Sequence, residues 1–218
     1  MSTASAVAHK RGGSFIWILI AAGVIALFIV AIVLTRSEST GGAADDTSLS
    51  ETRAVSVNGD SLPSLPADGE DPAVGMSLVE ITGKSFDGTG ISVSNNGLAK
   101  VLLVGAHWCP HCQVEIPIVQ QWIDQNGMPD NVELVTVSTA VDSAQPNYPP
   151  SEWLEAEGWS SPVMADDESG TASEALGTSG FPFFVFVNAD GTVRSRFAGE
   201  LPIDQFASTV ATLSDTAE

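Results

Sequence analysis

The chain predicts an α/β domain, a mixed central β-sheet flanked by helices, carried behind an N-terminal single transmembrane helix. Three observations predict it. Phe15 to Leu34 is a run of 20 residues without a charge. After it, apolar runs of strand length alternate with stretches of helical spacing. Near the middle, the run Val101 to Ala106 leads straight into Cys109 and Cys112, the only cysteines of the 218 residues.

Residues 1–13 read as a short polar cytoplasmic tail and residues 14–35 as the anchor. At about 1.5 Å per residue, a helix of this length spans roughly 30 Å, the thickness of a bilayer core. A cleaved signal peptide has a shorter apolar stretch, roughly 7–15 residues, and ends at a small-x-small site. Here Leu34-Thr35-Arg36-Ser37 closes the run with no such site close behind. Lys10 and Arg11 precede the span and Arg36 follows it. That asymmetry puts the N-terminus in the cytoplasm and the rest outside the cell membrane. An oxidising compartment suits a cysteine pair kept for exchange.

Residues 36–72, rich in Ser, Thr, Gly, Asp and Pro, read as a flexible acidic linker. Residues 73–218 have the length of one domain with one core. They carry 19 Asp and Glu against 4 Lys and Arg. So acidic a surface excludes nucleic acid as a partner.

Strands are expected near Ser77–Ile81 and Ile91–Val93, with turns at Asp87-Gly88 and Asn95-Asn96-Gly97. The strand Lys100–Ala106 leads into a helix from about Cys109 to Asn126, ended by Gly127. Val114, Ile118, Val119, Trp122 and Ile123 give that helix one apolar face. A strand follows at Val132–Ser138, then a proline-rich loop to Pro150 and a short helix capped by Ser151. Another short helix is expected at Thr171–Leu176. Phe183–Val187 and Val193–Phe197 form a hairpin through Asn188-Ala189-Asp190-Gly191, and a helix from Ile203 to Leu213 closes the domain. Arg194 and Arg196 are read as facing solvent on the last strand. Trp122 is read as core; Trp153 and Trp159, flanking the short helix after the proline-rich loop, are read as core by default, with a substrate-facing wall as the alternative.

Two cysteines two residues apart, at a strand-to-helix junction, suit a redox-active disulfide. The helix N-terminus favours a thiolate on the first of them. A purely structural Cys109–Cys112 bridge would close too short a loop to stabilise the fold much. His107 and His111 could be grouped with the cysteines as metal ligands. However, His107 is expected on the opposite side of the segment from Trp108, and a structural zinc site needs four well-placed ligands. No metal is assigned. The non-enzyme alternative is a binding module that carries copper or serves haem-related metal handling. Pro117 lies inside the helix, where it should kink the axis. Gly180-Phe181-Pro182 immediately precedes the apolar strand Phe183–Val187.

With these pieces the chain resembles the thioredoxin superfamily over roughly residues 73–213, and is most similar to membrane-anchored proteins of the TlpA/ResA type. The matching motifs are Trp108-Cys109-Pro110-His111-Cys112, Glu115-Ile116-Pro117, and Gly180-Phe181-Pro182 ahead of Phe186-Val187-Asn188-Ala189-Asp190-Gly191. The resemblance implies a thioredoxin-like fold and a thiol–disulfide oxidoreductase. Cys109 would be the nucleophile and Cys112 the resolving thiol. It implies a cis Pro182 packed on the cysteines, presenting the backbone of Phe181 to substrate. It places Trp108 and Pro110 in the substrate surface and Glu115 as proton acceptor and donor for Cys112. Thioredoxins proper have an Asp where this chain has Leu103. No cofactor is implied beyond the redox-active disulfide itself. The implied partners are protein disulfides or dithiols and a membrane thiol protein that donates electrons, with cytochrome c maturation as one task of such proteins. His111 points the other way, because Pro-His between the cysteines is also found in DsbA-like dithiol oxidases. The weight of the resemblance makes disulfide reduction the expected direction.

Overall fold

Among the residues described by the computed structural model, 49–216, eight strands form one sheet. They are β1 (Ser56–Asn58), β2 (Glu80–Lys84), β3 (Gly90–Val93), β4 (Ala99–Gly105), β5 (Val132–Ser138), β6 (Val163–Ala165), β7 (Phe183–Val187) and β8 (Val193–Ala198). The helices are α1 (Pro110–Asn126), α2 (Pro150–Ala156), α3 (Thr171–Ala175) and α4 (Ile203–Thr216). The tail at 1–13, the anchor at 14–35 and the first part of the linker lie outside the described residues. Among those described, no helix is long and apolar enough to cross a membrane.

The strands run in the order β1-β2-β6-β5-β4-β7-β8, with β3 paired to β2. The central β4 is parallel to β5 and antiparallel to β7. Every residue of β4 is buried, because both of its faces are covered. Val101 and Leu103 point into a core shared with Ile116 and Val119 of α1, Leu154 of α2, and Phe206 and Val210 of α4. Leu102 and Val104 point the other way, onto Leu62, Val185, and Ala172 and Ala175 of α3. The period of two in β4 and β7 therefore serves two cores at once. It also fixes the end of β4, from which the cysteine segment emerges, at the middle of the sheet.

Residues 49–72 are not a free linker, so the domain begins well before residue 73. Strand β1 pairs with β2, and the N–H groups of Arg53, Leu62 and Leu65 bond to the carbonyls of Asp166, Ala175 and Gly177. Leu62 is buried. Glu51 accepts from the N–H and Oγ of Ser151 at 3.0 and 2.7 Å. Ser151 is thus not the cap of α2, which starts at Pro150; an acid from the N-terminal segment satisfies it instead. The Ser, Thr and Pro content that suggested a tether is that of a strap held largely by backbone bonds. At Gly177, with φ +68°, an added Cβ would collide with the carbonyl oxygens of Leu62 and Pro63, so only glycine lets the strap approach.

Arg196 does not face solvent. It is buried, donating to both carboxylate oxygens of Asp71 at 3.0 and 2.5 Å, and to the carbonyls of Pro63 and Leu176. The guanidinium holds the Asp71 carboxyl below its ordinary range. That stabilisation is complete at neutral pH and is lost only as acid protonates Asp71. Arg196→Ala leaves the Asp71 carboxylate with only the Ala73 N–H, and the carbonyls of Pro63 and Leu176 without this donor. It is expected to cost about 3–5 kcal/mol, read as a fall in the urea midpoint.

Further differences from expectation are local. The first strand of the 73–218 region begins at Glu80, three residues later than expected, with Ser77 forming a lone bridge to Thr192. The three-residue β6 follows a proline and has too short a pattern to be recognised. Val114 and Ile118 of α1 are exposed, and the helix buries Cys112, Glu115, Ile116, Val119 and Gln120 instead. The buried face includes two polar residues, which is why the apolar spacing pointed one step round the helix. Helix α1 continues through Pro117, and Gly127 ends it with φ 73° and its N–H on Ile123.

Candidate active site

The cysteine pair sits where β4 hands over to α1. Cys109 occupies the N-cap position of α1 and Pro110 its first turn, so the helix starts inside the motif. Both thiols are free; Cys109 is 6 % exposed and Cys112 fully buried. They cluster with Ala106, and Trp108, Trp153 and Phe181 pack against them. Trp153, read as core, thus serves both the core and the wall of the site. Pro110 and His111 are exposed.

The segment before β7 reaches the same spot from the other side of β4. The Phe181-Pro182 peptide is cis. Pro182 is buried, and the carbonyl of Phe181 accepts from Cys109 Sγ at 3.5 Å. The Trp108 and Phe181 rings meet edge to face, 6.2 Å between centroids. Phe181 therefore touches both the first thiol and the tryptophan before it.

Burial pushes the Cys112 thiol well above its ordinary value, and the charges of Cys109 and Glu115 push it the same way. Glu115, three residues on and 2 % exposed, is itself raised to about 7, first by burial, then by the charge of Glu200. Its Oε2 accepts from the N–H of Leu201 at 3.2 Å, while Oε1 has no hydrogen-bond partner among the described residues. A buried carboxyl with one vacant oxygen is costly unless it is used. It can take a proton near neutral pH and return it.

His107 is tied down rather than available to a metal. Its Nδ1 bonds to the carbonyl of Pro146 at 2.7 Å, and its Nε2 accepts from the N–H of Asp142 at 3.2 Å. Trp108 Nε1 donates to the carbonyl of Ala140 at 2.7 Å. Together these bonds fasten the loop after β5 to the residues just before the cysteines. Among the described residues, no group of three or more His, Cys, Asp or Glu could hold a metal ion.

The Redoxin family model matches residues 70–213. Sporulation thiol-disulfide oxidoreductase A of Bacillus subtilis (strain 168) is 27 % identical over 122 residues, 56 % of this chain and 72 % of that protein. The crystal structure of StoA from Bacillus subtilis superposes with a TM-score of 0.50 at 25 % identity, covering 63 % of this chain and 98 % of that one. A thiol:disulfide interchange protein of the thioredoxin family from Chlorobium tepidum TLS shares the fold, with a TM-score of 0.52 and 22 % identity over 68 % of this chain and 99 % of its own. The family match, the thioredoxin-like sheet and the cysteine pair agree, and the chain belongs to the Redoxin family as a thiol–disulfide oxidoreductase.

Proposed function

We propose that the chain is a membrane-anchored disulfide reductase working outside the cytoplasmic membrane through Cys109-Pro110-His111-Cys112. The observation that carries the chemistry is the buried Glu115 one helical turn beyond the buried Cys112, with an oxygen unengaged. Cys109, at the start of α1, attacks one sulfur of a substrate disulfide and expels the other as a thiolate. The peptide flanking that disulfide lies against Trp108, Pro110 and the backbone of Phe181 beside Pro182. Glu115 accepts the proton of Cys112, whose sulfur then attacks Cys109. The mixed disulfide breaks and the second substrate thiolate leaves. Two electrons have passed to substrate, and the protein holds a Cys109–Cys112 disulfide. A membrane thiol protein returns the two electrons; no dissociable cofactor takes part.

The uninterrupted apolar run at 15–34 and the basic residues before it support the anchor and its orientation. His111 favours a second reading, a dithiol oxidase on the same site, because a cation beside the thiolate stabilises the reduced form. Two experiments test the proposal. With dithiothreitol as the electron donor, the chain should turn over insulin disulfides catalytically. Cys109 should also be labelled, in intact cells first reduced with dithiothreitol, by an alkylating reagent that does not cross membranes. Absence of insulin turnover sinks the chemistry, and protection from the reagent sinks the location.

A further inference from the structure

Glu200 belongs to none of the motifs in the sequence, yet it joins the two groups expected to tune the cysteine pair. It lies between β8 and α4, 89 positions from His111. His111 Nδ1 and Glu200 Oε1 are 2.6 Å apart, so the ring donates and the carboxylate accepts. The N–H of the next residue, Leu201, donates to Glu115 Oε2. One dipeptide therefore meets the side chain within the Cys-x-x-Cys turn and the buried carboxyl behind Cys112.

We infer that Glu200 is a positioning residue that holds His111 and opposes its charge, setting the cysteine pair toward the reducing side. The inference rests on the thiol–disulfide exchange reading and deepens it. A cation within the motif stabilises the Cys109 thiolate, favours the dithiol and makes the disulfide a stronger oxidant. Paired with a carboxylate at hydrogen-bond distance, His111 forms a unit of little net charge, and the thiolate loses that support. Four other basic side chains of the described residues have partners elsewhere in the fold. Lys100 pairs with Glu133, Arg196 with Asp71, Arg194 bonds to Asn188, and Arg53 reaches the carbonyl of Phe86. Lys84 lies on β2. When protonated, His111 brings its charge into the Cys-x-x-Cys turn itself, and Glu200 at hydrogen-bond distance opposes that charge. Both side chains are partly solvated, 66 % and 45 % exposed, so screening keeps the effect moderate.

The test is a double-mutant cycle on the full chain in detergent. Each protein is equilibrated with glutathione, so that protein dithiol and oxidised glutathione give protein disulfide and two reduced glutathiones, two electrons and two protons moving together. Glu200→Gln should lower this equilibrium constant about fivefold, which is about 20 mV toward oxidising for a two-electron couple. In a His111→Ala background the same change should shift it less than about twofold, because an unanchored exposed carboxylate is screened. No shift for Glu200→Gln overturns the inference, as does an equal shift in both backgrounds. A wild-type chain that exchanges normally beside an unmoved Glu200→Gln variant overturns this inference alone. A wild-type chain that does not exchange at all overturns the exchange reading with it.

Discussion

Cys112→Ser turns the chain into a trap. Insulin-reducing turnover falls by on the order of 10³-fold or more, and a covalent adduct with substrate accumulates on Cys109, visible by mass spectrometry and released by dithiothreitol. The asymmetry follows from position. Cys109 stands at the N-cap with its sulfur against the Phe181 carbonyl, where a substrate disulfide can be presented. Cys112 is sealed beneath it, with its proton held firmly by burial. On the proposed mechanism the first thiol captures and the second releases. Cys109→Ser should lose turnover equally and form no adduct, since the buried thiol cannot meet a protein substrate. An adduct on Cys112 in that variant would reverse the assignment.

Glu115→Gln is expected to slow turnover about 100-fold at pH 8 while making the fold more stable. The two effects share one cause. Burial raises the carboxyl from 4.5 to about 7, so the native state binds its proton more tightly than the unfolded chain does. Stability therefore falls as pH rises between those values, by up to about 3 kcal/mol, and stays reduced above 7. Glutamine removes that slope and is the more stable variant above pH 7. It also removes the acceptor for the Cys112 proton. In the wild type the resolving step should weaken as pH falls through about 7, and the glutamine variant should lack that limb. Urea unfolding and single-turnover kinetics across pH 5–9 read both. A variant that loses stability at pH 8, or keeps the wild-type pH profile, would make Glu115 a packing residue.

The parts of this protein that were legible beforehand are those in which local pattern and burial coincide. Strands β4, β5 and β7 are runs with both faces buried, and their pattern predicts each to within about a residue of its observed ends. The cysteine motif, the glycine stop at 127 and the segment before β7 are likewise local signals. What escaped depends on long-range pairing. The strap at 49–72 has no apolar period to read, because its few core contacts, Val55, Val57, Leu62 and Leu65, are scattered and long-range backbone bonds to Asp166, Ala175 and Gly177 fix its course. Arg196 seemed ordinary on a terminal strand until Asp71, 125 positions away, came to meet it. Glu200 is one acid among 27 in the chain, and nothing nearby in sequence links it to His111. Val114 and Ile118 misled because α1 turns its polar Glu115 and Gln120 inward, Gln120 to bond Ser160 and Asp124.

The central claim is that this site is poised to give electrons rather than take them, despite a histidine between its cysteines. The direct measurement is the reduction potential of the Cys109–Cys112 couple in the full chain in detergent, equilibrated against dithiothreitol or glutathione buffers and read by alkylation. The account predicts a value near that of thioredoxin, roughly −270 mV. A value near that of DsbA, roughly −120 mV, would contradict it and mean that His111 governs a site that makes disulfides.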